Sequence, residues 1–69
     1  MQLSARNQLK GTVKEVKSGT VMAEVVVALP DGQEIVSAIT RSSAERLHLQ
    51  AGDQVIAVIK STEVMIGKG

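Results

Sequence analysis

The sequence contains no cysteine, phenylalanine, tyrosine or tryptophan, a single proline (Pro30) and a single histidine (His48). Without cysteine there is no disulfide to stabilise a short chain and no thiolate to act as nucleophile or ligand. One imidazole cannot by itself supply the nitrogen and sulfur set of a zinc site. Without aromatic rings there is no platform for stacking bases, so an OB-fold binding single-stranded nucleic acid is not expected. Charge of either sign is scarce in excess: 8 Lys and Arg against 7 Asp and Glu give +1. Such a balance drives binding to neither nucleic acid nor an anionic membrane. No apolar run approaches a membrane span and the N-terminus lacks an apolar signal core, so the expected location is cytoplasmic. No nucleophile and base stand at a suggestive spacing, so the chain is not expected to be an enzyme.

What remains is a chain of 69 residues, 43% hydrophobic, whose core must be built from Val, Ile, Leu, Ala and 3 Met. That length allows one domain, residues 1–69. Domains so small usually need a disulfide, a metal or a partner subunit, and the first two are excluded. Self-association is therefore expected from size alone.

The chain alternates in the manner of a small β protein. Leu9, Gly11 and Val13 fall on one face and Lys10, Thr12 and Lys14 on the other. Gly11 inside that strand implies a bulge or a close backbone approach. Lys17-Ser18-Gly19 reads as a turn. The second strand, Thr20 to Leu29, is apolar at odd and even positions alike, with Glu24 the one interruption. Both of its faces should be covered, and the outer one is expected to meet another subunit. Pro30-Asp31-Gly32 is a hairpin turn. A third strand, Gln33 to Thr40, sets Ile35, Ser37 and Ile39 against Val36 and Ala38. Ser42-Ser43-Ala44-Glu45 matches a capping box, so a short helix is expected from Ser42, its cap, to about Leu49, held by Leu47 and Leu49. Gln50 to Asp53 is a turn, Gln54 to Ile59 a fourth strand and Val64 to Ile66 a short fifth. The expected fold is all-β: a small five-stranded OB-fold-like barrel with one short helix between strands 3 and 4.

Donor groups gather in three places. Ser4 brings a hydroxyl, Ala5 and Arg6 backbone N–H groups, and Arg6 a forked guanidinium suited to oxyanions. Thr40 and Ser43 lie where the third strand hands over to the helix, whose first N–H groups lack intrahelical partners. Lys60 ends the fourth strand with a point charge, followed by the hydroxyl and N–H of Ser61. Glu63 would intrude unless a turn redirects it. Taken singly, each residue has a plainer role: Arg6 as a solvated arm, Ser42 and Ser43 as caps, Lys60 as a guard on a sheet edge. Asn7 reads as a local backbone ligand at the start of the first strand, and Arg41, Arg46 and His48 as a solvated helix face.

Three segments together carry a resemblance. SARNQLKG over Ser4–Gly11, AITRSSA over Ala38–Ala44 and VIKSTEV over Val58–Val64 are similar, in order and spacing, to the molbindins and related oxyanion-binding domains. These matches span nearly the whole chain. The resemblance implies an oxyanion-binding domain for molybdate or tungstate, with no organic cofactor and no directly ligated metal cation, serving storage or homeostasis. It implies Ser4, Ala5, Arg6, Thr40, Ser43, Lys60 and Ser61 as binding residues. It also implies a homo-oligomer, a hexamer built as a trimer of dimers, with Ser4, Ala5 and Arg6 from one chain and Thr40, Ser43, Lys60 and Ser61 from another. Relatives also use Ala at position 61, so the backbone N–H there would matter more than the hydroxyl. A donor-only pocket would reject phosphate, whose remaining proton finds no acceptor, and accept a fully deprotonated dianion. The alternative is an OB-fold interaction or structural subunit without physiological anion binding.

Overall fold

A computed structural model describes residues 2–69. Its elements are β1 (Asn7–Ser18), β2 (Met22–Ala28), β3 (Glu34–Thr40), α1 (Arg41–Arg46) and β4 (Gln54–Ile59), followed by a 3₁₀ turn at Ser61–Glu63. The strands form one antiparallel sheet in the order β3-β2-β1-β4. The sheet curls so that residues of β3 and β4, its two edges, line a shared groove. Alternation along β3 and β4 is as the sequence reads: Ile35, Ser37, Ile39, Val55, Ala57 and Ile59 turn inward and their neighbours outward.

β1 is longer than the run of alternation from Leu9 to Lys14, and its length organises the sheet. Residues Asn7 to Thr12 pair with β4, and Thr12 to Ser18 pair with β2. At the handover the register slips by one between Val13 and Glu15, leaving Lys14 as the extra residue of a β-bulge. The slip resets the alternation, so that Val16 rejoins Val13 beside the core. Val13 also turns its backbone to the loop before β4: its N–H donates to Asp53 O at 2.9 Å, and its carbonyl accepts from Gly52 N at 2.8 Å. Gly11 lies against the end of β2. A Cβ there would fall 2.5 Å from Val27 Cγ1 and 2.8 Å from the Ala28 carbonyl oxygen. Close approach is thus the role of Gly11, and the bulge sits three positions later.

The core is small. Val13, Ala23, Val25, Val26, Val27 and Ala44 are its buried apolar residues, none larger than valine. Each buried valine contributes roughly 1.5–3 kcal/mol relative to exposure. On the outer face of β2, Val26 is buried while Met22 and Glu24 are exposed, so one chain covers that face only in part.

Two further expectations change. The fifth strand over Val64–Ile66 is not formed: after the 3₁₀ turn the chain is extended, pairs with no strand, and leaves Met65 and Ile66 each 89% exposed. What is present is a curled sheet of four strands, not a closed barrel of five. At the start of β1 the local backbone bond is made by Gln8, whose Nε2 donates to Ala5 O at 2.8 Å, rather than by Asn7.

The turn between β2 and β3 closes as its residues dictate. Gly32 takes φ +90°, and Asp31 Oδ1 accepts from Gln33 N at 3.1 Å. Side-chain and backbone donation from Gln33 holds the Asp31 carboxyl below its usual range. On the outer surface Lys14 in the bulge meets Glu34 at 2.6 Å, which raises the Lys14 ammonium from its ordinary value. Exposed pairs of this kind add little to stability.

Two outcomes follow for the fold. Gly11→Ala should destabilise by about 1–3 kcal/mol, because the obstructing atom is a backbone oxygen that cannot rotate away; the denaturant midpoint reads this. The Asp31 carboxyl should titrate below 3.8 in an NMR pH series. Its folded value is depressed, so its contribution to stability is present above the ordinary value and lost as pH falls through the folded one. Asp31→Asn should abolish that part of the acid dependence.

Candidate functional site

The pairing of β1 with β4 begins at Asn7 opposite Ile59. Arg6 and Lys60 therefore flank the same end of the ladder, with Ser4 and Ala5 leading in and Ser61 leading out. Ser4, Arg6, Lys60 and Ser61 are exposed and Ala5 is half-buried. The Gln8 amide occupies the Ala5 carbonyl, which removes one acceptor from a stretch otherwise rich in donors. Ser61 opens the 3₁₀ turn, so its N–H has no partner within the turn. The turn needed to redirect the chain at Glu63 is this one, and Glu63 N itself donates to Lys60 O at 2.9 Å.

Thr40 and Ser43 lie elsewhere. Thr40 pairs with Met22 at the start of β2, and β2 in turn pairs with the second half of β1, Ala23 opposite Ser18. They stand at the far end of β1 from Arg6. In the register, Thr40 and Ser43 follow the end of β3 on the Ser18 side of β1, and Lys60 and Ser61 follow β4 on its Asn7 side.

The helix start also differs from the sequence reading. Its cap is Thr40, not Ser42: Thr40 has extended φ/ψ of −70° and 147°, and its Oγ1 accepts from Ser43 N at 3.1 Å. Thr40 can therefore end β3 and cap α1 at once. Glu45, the acidic member of the expected capping box, instead accepts from Arg41 Nε at 2.8 Å. Arg41 is exposed as expected, and its backbone N–H donates to Val21 O at 2.7 Å. Two of the first N–H groups of α1, those of Arg41 and Ser43, are thus already bonded. The helix is held by buried Ala44 and half-buried Leu49, whereas Leu47 is exposed.

The hydroxyls at this end form a directed set. Thr40 Oγ1 donates to Ser43 Oγ at 2.7 Å, and Arg46 Nη2 donates to the same oxygen at 3.2 Å. With its one proton committed, Thr40 can only accept from Ser42 Oγ, 3.3 Å away. Ser43 accepts twice, and its own proton remains to be directed outward. Arg46, read from the sequence as solvated, was the missed member; its signal is the three-residue spacing from Ser43 along a helix.

The chain and its fold have known counterparts. Residues 3–66 match the TOBE domain family. The chain belongs to that family. It is 52% identical over 66 residues to molybdenum-pterin-binding protein 3 of Clostridium pasteurianum, covering 96% of this chain and 97% of the relative. The structure of a molybdate-binding protein from Sporomusa ovata superposes with a TM-score of 0.92 at 47% identity, covering 99% of this chain and 100% of that one. The cytoplasmic molybdate-binding protein ModG, solved with molybdate bound, superposes with a TM-score of 0.84 at 48% identity, over 88% of this chain and 43% of that one. The resemblance drawn from the three sequence segments holds.

Within this TOBE domain, the helix that carries Ser43 ends on a residue under conformational load. His48 sits at φ +52°. Its N–H donates to Glu45 O at 3.0 Å and that of Leu49 to Ala44 O at 3.1 Å, the bonding of a Schellman termination. That position favours glycine, since a side chain in the left-handed region costs roughly 1–2 kcal/mol. His48→Gly should therefore stabilise the fold by about 1 kcal/mol, read as a higher denaturant midpoint with unchanged slope at fixed protein concentration.

Proposed function

We propose that this chain reversibly binds molybdate, or tungstate, for storage or homeostasis in the cytoplasm, at sites shared between copies of a homo-oligomer. The observation that carries the reading is the grouping of Ser4, Ala5 and Arg6 with Lys60 and Ser61, with the Ala5 carbonyl already occupied by Gln8. A tetrahedral dianion only accepts hydrogen bonds, so a useful site must offer donors and hide acceptors. The names of the relatives and of the two solved structures support the ligand, and the name of ModG supports the location.

Charge-assisted bonds from Arg6 and Lys60 would supply most of the attraction, with Ser4, Ser61, Ser43 and backbone N–H groups fixing orientation. Thr40 would act by holding Ser43. A second copy would bring its Thr40–Ser43 end to the Arg6–Lys60 end of the first, because a single chain separates them. A hexamer assembled as a trimer of dimers, with every copy a single domain over residues 1–69, accommodates that exchange. Neither an organic cofactor nor a chemical step is required: binding is the function.

The exposed apolar surface, with Val36 60% and Leu47 65% exposed, also suits a purely structural subunit. Ligand-dependent thermal stabilisation separates the two readings, since only a real site stabilises by mass action. Calorimetric titration should show tight binding of molybdate and tungstate and weak binding of phosphate. Arg6→Ala and Lys60→Ala should each weaken molybdate by about 1.5–3 kcal/mol, the range for hydrogen bonds to a charged group. Unchanged affinity in both variants would sink the assignment.

A further inference from the structure

The guanidinium of Arg46 has no partner of opposite charge among the described residues. The helix holds one carboxylate, Glu45, and Arg41 engages it through Nε at 2.8 Å. Arg46 instead turns back along α1 and donates from Nη2 to Ser43 Oγ at 3.2 Å. A long, exposed side chain is thus committed to a neutral hydroxyl. The plainer role of a basic residue in the last turn is to face the carbonyl end of its helix. That role requires no bond to Ser43.

The bond matters because of what a hydroxyl can do. Serine has one proton to give and two lone pairs with which to accept. At Ser43, Thr40 Oγ1 fills the first lone pair at 2.7 Å and Arg46 fills the second. Thr40 is itself fixed, since its oxygen accepts from Ser43 N at 3.1 Å. With both lone pairs occupied, half-buried Ser43 is left as a donor only. Without Arg46 one lone pair would be open, and Ser43 could donate or accept.

We infer that Arg46 is a positioning residue that sets the anion selectivity of the Thr40–Ser43 end by keeping Ser43 a donor. The favoured ligand class is the fully deprotonated tetrahedral dianion. The class rejected is the oxyanion that retains a proton. Its O–H must find an acceptor on leaving water or lose a hydrogen bond, and a donor-only Ser43 denies it one. Arg46 acts through Ser43 and does not have to touch the ligand. The inference rests on the anion binding proposed above and deepens it, assigning the rejection of protonated anions to one residue.

Selectivity separates this role from simple attraction by charge. Molybdate, sulfate and phosphate are titrated by calorimetry near neutral pH, weak ligands by displacement of molybdate. The proteins are the unmodified chain, Arg46→Met, Arg46→Lys, Ser43→Ala and the Ser43→Ala/Arg46→Met double variant. Sulfate is the unprotonated reference. In Arg46→Met, molybdate and sulfate should weaken by a common factor, through the lost charge, while phosphate weakens less or tightens. The ratio of phosphate to sulfate affinity should therefore rise by roughly two- to tenfold, the value of one recovered hydrogen bond. Arg46→Lys, which retains a donor and a charge, should restore the ratio. In the Ser43→Ala background, Arg46→Met should leave the ratio unchanged, because Arg46 then has no hydroxyl to act on. Arg46 is exposed, so the ligand-free denaturant midpoint should move little in its variants. An equal fall for all three anions would mean that Arg46 contributes charge alone, and would overturn the inference. So would the same change of ratio with and without Ser43. An unmodified chain that binds none of the anions removes the ligand reading, and this inference with it. Binding of molybdate without the change of ratio in Arg46→Met removes the inference alone.

Discussion

The handover within β1 governs this structure. A single strand gives its first half to β4 and its second to β2, and the two partners must pass close together where the halves meet. Gly11 makes the passage possible because β2 occupies the space of a side chain. Lys14 makes it useful, since the bulge there resets the alternation so that Val13 and Val16 both serve the core. The backbone of Val13 then ties the loop at Gly52 and Asp53 to the same point. Glycine, bulge and loop together turn a flat ladder into a curled sheet with an inside.

The same handover distributes the candidate donors. Because β4 joins one half of β1 and β2 the other, segments joined to β4 gather at one end of the molecule and the β3–α1 junction lies at the other. The register of the ladder sets these two groups towards opposite ends of β1. Local chemistry at each end is nonetheless prepared. The Gln8 amide takes up the Ala5 carbonyl, and Thr40 and Arg46 both donate to Ser43, leaving its proton free. Each end offers donors with neighbouring acceptors already engaged, which is the chemistry an oxyanion needs and a metal cation would not tolerate.

Much of this was legible before any coordinates. Period-two alternation identified β3 and β4, and the Pro30-Asp31-Gly32 turn announced itself by residue type. The family was legible from three segments because they occur together in a set order and spacing. What escaped did so for physical reasons. Thr40 can serve as strand end and helix cap, so composition alone could not tell whether it or Ser42 held the helix. The bulge fell on a lysine in a polar stretch, where a change of phase leaves no hydrophobic trace. Leu47 was credited with packing that Ala44 performs, since a short helix close to a sheet favours the smaller side chain. Separation of the two donor groups depends on register, which pairs residues far apart in sequence. The short apolar run Val64–Ile66 reads as a fifth strand, yet it pairs with no strand of its own chain, because a pattern of side chains does not specify a pairing partner.

Size bears on why, on the proposed reading, the ligand would lie between copies. A core without aromatic rings, disulfides or metal leaves little stability in reserve for a chain of this size. On the proposed reading, anion and assembly are linked: a ligand that needs donors from two copies binds only the assembled state. At a free concentration one hundred times its dissociation constant, such a ligand adds about 2.7 kcal/mol to whatever holds the copies together. Linkage is reciprocal, so a contact that strengthens assembly raises anion affinity by the same factor. Donors at the two ends of one curled sheet are a poor plan for a monomer. For an oligomer they make filling the site and stabilising the assembly one equilibrium.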